Sequence, residues 1–520
     1  MRRSIILATA AVAGLFCLTA FAAPGTPLAE GQYVTVKDGH LWYNGARLRL
    51  WGTNFCYDVK REGKDLELSF DRMVDAGFNG IRLNMVEHGI FVDPESDNSY
   101  AIPATVQGSG SPMDRLDHSI FLARERGMHL WFSFAHSKPF LPADYDVMPD
   151  DGTREPWLKM GAEAGYLAIY VDARAEKVFQ EFARNILEHV NPYTGKRYAD
   201  EEAIALYEIT NEDCFVEEAL ARGLPGLAGE KLAAKWNAWL KERYGTDEAL
   251  VKAWGRLNEG ESLAAGNIAY APILEGVETY REGGVQKEFE SKDKGHLKKY
   301  PYQRGEDLMR FVYALYQGHS ERFIQFVRSL GKPGVGISVV PITPTGRYGR
   351  SIPAYYSAAG GDFVSVGFYG FALRPWGVSK DNPHYPYEVR LTLHPLLEQP
   401  VDLFRPKDKP YLFYECNDTR PNPFGVEFPA RVAAYAVWQD MDGAFWAHWD
   451  SHHYLPDLKT DEDYIQRRMP IPDKNYPNAG LLHANDEAML AAMKAAGTLF
   501  RNANVLPASD PVAAVIGKDI

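Results

Sequence analysis

Two short stretches carry the residues best suited to chemistry. Tyr207-Glu208-Ile209-Thr210-Asn211-Glu212 and Tyr411-Leu412-Phe413-Tyr414-Glu415 each run an apolar strand pattern into a glutamate. Two carboxyl groups facing each other across one opening can cleave a glycosidic bond, one protonating the leaving oxygen while the other attacks or activates water. Each glutamate could equally be an ordinary surface residue at a loop start, so the neighbours carry weight. Asn211 precedes Glu212, and with alternating side chains one can hold a sugar 2-hydroxyl while the other reaches the glycosidic oxygen. Arg82 closes another apolar strand, where an inward guanidinium keeps a carboxylate ionised and oriented and an outward one would bind a helix carboxylate instead. Tyr369 closes a further strand and could donate its hydroxyl to a nucleophile; Trp446 closes the last, where its flat face would carry a sugar ring. Either aromatic could also be core. Glu208, four residues before Glu212, is expected one layer deeper as a structural carboxylate paired with an arginine such as Arg82 or with a tyrosine.

Positioning such groups requires strands that end together. Apolar strand patterns occur at 50–54, 80–83, 129–135, 203–210, 334–340, 363–368, 411–414 and 444–448, each followed by a helix or a long connection. Helix signals lie between them. Leu66, Phe70 and Met73 share a face ahead of Gly77; Ser111-Pro112 reads as a cap and first-turn proline; Val178, Phe182, Ile186 and Val190 recur every four residues after Asp172. Alternating strands and helices with near-continuous apolar strands predict parallel pairing, and eight such units predict a (β/α)8 barrel. An open doubly wound sheet would show a glycine-rich phosphate turn after its first strand, and Trp51-Gly52-Thr53-Asn54 is not one.

The expected organisation follows. Residues 1–22 form a cleaved secretory signal, with Arg2 and Arg3 ahead of an apolar run and Ala20 and Ala22 at A-x-A spacing. Residues 23–45 hold a leading segment and a hairpin turning at Lys37-Asp38-Gly39. The barrel occupies 46–500 with a helical insertion at about 213–305 after the fourth strand, and 501–520 is a tail. Losing the signal takes the formal charge of the 520-residue chain from −13 to −15. So acidic a surface lacks the footprint of a nucleic-acid binder, and the mature protein is expected off the membrane, in the periplasm or outside the cell. Hydrophobic content of 46% excludes dominant disorder. Cys56, Cys214 and Cys416 fall near the predicted barrel mouth without Cys-x-x-Cys spacing and read as buried thiols. His448, Asp450, His452 and His453 have a metal-ligating composition, but their close spacing suits a substrate-contacting loop, and no metal or cofactor is expected.

Asn-Glu closing the fourth strand, Glu the seventh, Arg the second, Tyr the sixth and Trp the eighth resemble glycoside hydrolase clan A, in particular the cellulase-type enzymes of family 5. The resemblance extends over nearly the whole mature chain and includes Trp51-Gly52-Thr53-Asn54 and Asn191-Pro192-Tyr193-Thr194-Gly195. It implies that Glu212 is the general acid/base, Glu415 the nucleophile and His136 the strand-three histidine that meets substrate. It further implies a retaining β-glycosidase acting on a β-glucan, β-mannan or β-galactoside, with carboxyl groups about 5 to 5.5 Å apart. The pattern departs from the family at three places. Asp213 stands where proline is usual, Phe134 where an acidic residue is common, and Gly367 where many members carry the histidine of His-x-Tyr. A carbohydrate-binding barrel without turnover and a transglycosylase with the same residues are the competing readings. Trp131, Tyr166, Trp376, Trp446 and Trp449 are candidates for lining sugar subsites.

Overall fold

Strands that are apolar on both faces need cover on both, and this chain supplies it by closing a parallel sheet on itself and wrapping helices around it. A computed structural model describes residues 25–56, 63–84, 97–134, 140–164, 167–212, 216, 220, 226–270, 301–347, 356–369, 405–417, 425–449, 486–503 and 507–509. The expected signal segment, His136, Tyr166, Cys214 and Trp376 lie outside the described residues. A small antiparallel sheet comes first: β1 (Thr35–Lys37), β2 (His40–Tyr43) and β3 (Ala46–Arg47). Eight parallel strands follow: β4 (Leu50–Cys56), β5 (Gly80–Asn84), β6 (His129–Ser133), β7 (Ile204–Asn211), β8 (Ile342–Arg347), β9 (Val364–Tyr369), β10 (Tyr411–Asn417) and β11 (Gly443–Trp446). Each pairs with the next, and β11 returns to β4 through Gly443 opposite Leu50, so the (β/α)8 barrel is closed.

The helices start where capping chemistry allows. The Ser111 side chain accepts from the Asp114 amide at the head of Pro112–Glu125, and Asp172 accepts from the Arg174 and Ala175 amides at the head of Ala173–Glu188. Their apolar faces pack on the outward residues of the strands. Inside the barrel, Trp131 lies edge-on to Phe363 and Phe445 at centroid distances of 5.3 and 5.2 Å. Gly52 is required here, because a Cβ on it would sit 2.5 Å from the Phe445 ring. Val34, Leu41 and Leu48 seal the lower end against Leu50 and Leu412. The interior is thus packed solid, and a ligand site on this scaffold has to lie at the C-terminal mouth.

One predicted strand moves. The 334–340 stretch is a turn, with Gly334 at φ 77°, Gly336 at φ 49° and a short 3-10 helix at Gly336–Ser338; a Cβ on Gly336 would collide with the Ala199 carbonyl. The fifth barrel strand is β8, whose Pro344 disguises it. Proline survives there because the ladder from β8 to β9 begins only at Gly346, beyond the missing donor. In the insertion, helices Gly226–Tyr244 and Asp247–Trp254 pack on Tyr302–Ser329 through Trp236, which meets Phe311 at 5.4 Å.

The leading sheet is clasped to the barrel's last loop by charge. His40 lies 3.1 Å from Asp442 and 3.3 Å from Asp440, and Arg47 and Arg49 reach Asp440 at 2.6 and 3.0 Å. Hydrogen bonds to Asp440 and Asp442 push the His40 pKa up to about 9. Its folded value exceeds the unfolded value of about 6.5, so its stabilisation is complete below pH 6.5 and lost as pH rises through 9. His40→Gln is therefore expected to lower Tm by about 2–4 °C at pH 6 and to match wild type above pH 9.5 or so, as followed by circular dichroism. A pH-independent difference would sever this link between the clasp and the imidazolium.

Candidate active site

The mouth is built around one buried guanidinium. Arg82 on β5 is fully buried and reaches four side chains on three other strands. Its Nη1 donates to Asn54 Oδ1 on β4 at 2.9 Å and to Glu415 Oε1 on β10 at 3.0 Å. Nη2 donates to Glu208 Oε1 and Asn211 Oδ1 on β7 at 2.6 and 2.7 Å. The planar fork suits this double engagement, and the ring faces of Tyr414 and Trp131 flank it at 4.9 and 5.3 Å. Glu208 also accepts from Ser133 Oγ at 3.0 Å, which gives it the expected structural role on Arg82.

Glu415 owes its inward aim to a bulge. Along β10, Leu412 and Tyr414 belong to the barrel interior while Tyr411, Phe413 and Cys416 pack outward. Strict alternation would turn Glu415 outward as well. Opposite β9, however, Phe413 pairs with Val366 and Glu415 with Gly367, which leaves Tyr414 as an extra residue. The insertion of one residue puts two consecutive side chains, Tyr414 and Glu415, on the inner face. Glu212 is placed by another irregularity: it follows the end of β7 in the left-handed region, at φ 53°, unusual for a non-glycine residue and a common mark of functional positions. There its Oε1 accepts from the Tyr414 hydroxyl at 2.8 Å.

Protonation follows from this placement. Glu208 and Glu415 bond to the guanidinium directly, and Glu212 feels its charge through space. Burial and then the charge of Glu415 push the Glu212 pKa up to about 8, against the lowering pull of the Tyr414 hydrogen bond and Arg82. Burial raises Glu208 too. The buried His448, which faces the charges of Glu415 and Arg82, is held below its ordinary value chiefly by burial. At neutral pH the mouth thus presents a protonated Glu212 beside an Arg82-bound Glu415, an arrangement able to give a proton on one side and form a bond on the other.

Arg82, Asn211, Glu212 and Glu415 come together as the sequence suggested. Tyr369 closes β9 opposite Asn417, and its side chain lies outside the described residues. Trp446 is a correction. Phe445 takes the inward position on β11, so the Trp446 ring is turned out of the mouth and packs at 5.3 Å from Trp51 and 5.7 Å from Phe428, fully buried. Trp131 and Trp449 are likewise fully buried, beneath Arg82 and against Phe78 respectively. Tyr414, Asn54 and His448 are the contributors that sequence reasoning did not assign to the pair. Asn54 links strands by donating to the Tyr414 and Trp446 carbonyls, and its position at a strand end was the available signal. Cys416 is a buried thiol, raised well above its ordinary pKa by burial. Among the described residues no cluster of three or more His, Cys, Asp or Glu could hold a metal ion, and no helix is long and apolar enough to cross a membrane.

Known proteins match in part. The sequence model of glycoside hydrolase family 42, described as β-galactosidase, matches residues 171–258, a span that includes β7, Asn211, Glu212 and the insertion helices. A β-galactosidase from Arthrobacter sp is 43% identical over 61 residues, which are 12% of this chain and only 8% of that protein. Solved structures with a similar fold include the endo-β-1,4-mannanase from Thermotoga petrophila, at 16% identity, 89% coverage of this chain, 79% of that one and a TM-score of 0.42. A β-galactosidase from Halorubrum lacusprofundi aligns at 14% identity over 87% of this chain and 58% of its own, with a TM-score of 0.47. By its barrel and its family match the chain resembles the clan A glycoside hydrolases. The sequence match falls to β-galactosidases, and of the strand-end residues on which the resemblance to family 5 rests, Arg82, Asn211, Glu212 and Glu415 converge.

The guanidinium offers a direct test. Arg82→Met leaves two carboxyl groups buried without their counter-charge and should lower the free energy of unfolding in urea by about 3–5 kcal/mol. Adding Glu208→Gln to that background should recover part of the loss. An equal loss in the single and double variants would mean that the Glu208 charge is not what Arg82 offsets.

Proposed function

We propose that this protein is a retaining β-glycosidase that hydrolyses O-glycosidic bonds of oligo- or polysaccharides by double displacement. The observation that carries the reading is the divergent setting of two strand-end carboxyl groups: Glu415 held by Arg82 at 3.0 Å, and Glu212 with its pKa pushed up to about 8. In the first step the Glu212 carboxyl gives its proton to the glycosidic oxygen while a Glu415 oxygen attacks the anomeric carbon, and the aglycone leaves as an alcohol. In the second step the Glu212 carboxylate takes a proton from water, whose oxygen displaces Glu415 from the anomeric carbon. Two inversions give net retention. Asn211 offers its amide N–H to the sugar 2-hydroxyl, since its Oδ1 accepts from Arg82.

The substrate is a β-glucan, β-mannan or β-galactoside, and the family match over 171–258 favours a β-galactoside among these. The protein works outside the cytoplasm after loss of residues 1–22; fractionation with an antibody, together with N-terminal sequencing of the mature chain, checks this. Turnover of any member of a panel of aryl β-galactosides, glucosides and mannosides separates the enzyme from a barrel that only binds sugar.

On the best of those substrates, Glu415→Ala should cut kcat about 10³-fold or more with an unchanged circular dichroism spectrum. Wild-type activity in that variant would refute the nucleophile. Because Glu212 must enter protonated, kcat/KM should fall as pH rises through about 8.

A further inference from the structure

The geometry points to Tyr414 as the positioning residue of the acid/base: its hydroxyl, on the inner face of β10 beside Glu415 and given room by Gly367, holds Glu212 by one oxygen and leaves the other to meet substrate. This inference rests on the assignment of Glu212 in the proposed function and extends it to a residue that acts on Glu212 rather than on the sugar.

Three observations combine here. Tyr414 faces inward in phase with Leu412, and the bulge brings Glu415 onto the same inner face of β10, so the nucleophile and the partner of the acid stand side by side. The Tyr414 hydroxyl donates to Glu212 Oε1 at 2.8 Å, which fixes the carboxyl plane and directs Oε2 away from the phenol. Gly367, which lies opposite Glu415 in the ladder, has no side chain in the way: a Cβ there would stand 2.6 Å from the Tyr414 hydroxyl oxygen and 2.9 Å from Cζ. Position 367 is therefore empty of side chain, and the phenol from the next strand fills the space. Gly367 and Tyr414 form a matched pair, because a side chain at 367 would displace the phenol.

The hydrogen bond gains strength where catalysis needs it. Before proton transfer the phenol donates to a neutral carboxyl; once the proton has passed to the glycosidic oxygen, it donates to a carboxylate. Charge-assisted bonds are shorter and roughly twice as strong, so the interaction stabilises the transition state more than the ground state. The same donor opposes the effect of burial and of Glu415, and so keeps the Glu212 proton transferable.

The test is Tyr414→Phe, which keeps the ring and removes only the hydroxyl. In protein labelled with carboxyl-13C glutamate, with the Glu212 resonance assigned by its loss in Glu212→Gln, the titration midpoint should move upward by about half to one pH unit. Gly367→Ala, which displaces the phenol without removing it, should shift the midpoint in the same direction. This readout needs no substrate. In kinetics, kcat/KM should fall about tenfold for a phenyl glycoside, which requires its leaving oxygen to be protonated, and change less than about twofold for a 2,4-dinitrophenyl glycoside, which does not. A midpoint unmoved in Tyr414→Phe, or equal losses on the two glycosides, overturns the role of Tyr414 while leaving Glu415 and Glu212 as assigned. Should Glu415→Ala retain full turnover instead, the nucleophile assignment of the proposed function fails, and a shifted Glu212 midpoint would still establish the Tyr414 contact.

Discussion

A single buried positive charge organises the mouth of this barrel. Arg82 has no exposure to solvent, and a guanidinium in that position is tolerable only when acceptors surround it. Asn54, Glu208, Asn211 and Glu415 reach it from β4, β7 and β10, so the hydrogen bonds that satisfy it also tie together strands that are not neighbours of one another. The same charge sets the protonation pattern. Glu415 and Glu208 bond to it directly, whereas Glu212 meets a phenol instead and carries the electrostatic pressure of the other two. Structural support and chemical polarisation thus come from one residue, as is typical of sites mounted on rigid strands.

Most of the scaffold was legible from the chain, because strand ends, helix caps and glycine stops are local signals. Ser111 caps its helix as its side chain suggested, Asp172 stands at the head of the next, and seven of the eight strand positions stand close to the apolar runs that predicted them. The exception, β8, combines threonines, a proline and a glycine that read as a loop; only the late start of its ladder with β9 explains how the proline is accommodated. Phase was the less visible quantity. Shifting a strand by one residue turns every side chain to the other face. Trp446 was expected in the mouth because it ends its strand, yet Phe445 occupies the inward phase. Glu415 was expected inward and is so only because Tyr414 adds a residue to β10, a bulge with no signature in composition or periodicity.

The aromatic content of the barrel has a corresponding meaning. Trp131, Trp446 and Trp449 looked like sugar platforms by residue type, but all three are fully buried and serve packing, one of them as the floor beneath Arg82. Among the described residues, what the strand ends bring together is polar: Glu415 and Asn211 held by Arg82, and Glu212 held by the Tyr414 hydroxyl. Such a surface recognises hydroxyl groups by direction rather than by area, and selectivity then depends on which hydroxyls match the donors and acceptors.

The seam between β4 and β11 reaches further than the site. The clasp that closes it joins His40 to Asp442 across 402 positions of sequence, and β11 cannot pair with β4 until almost the entire barrel has been made. Contacts of such separation form late, after the entropy of closing a very long loop has been overcome. The first strand of the barrel therefore gains the partner on its second edge only once the last strand has been made, and the lower seal that includes Leu412 and Phe445 is completed with it.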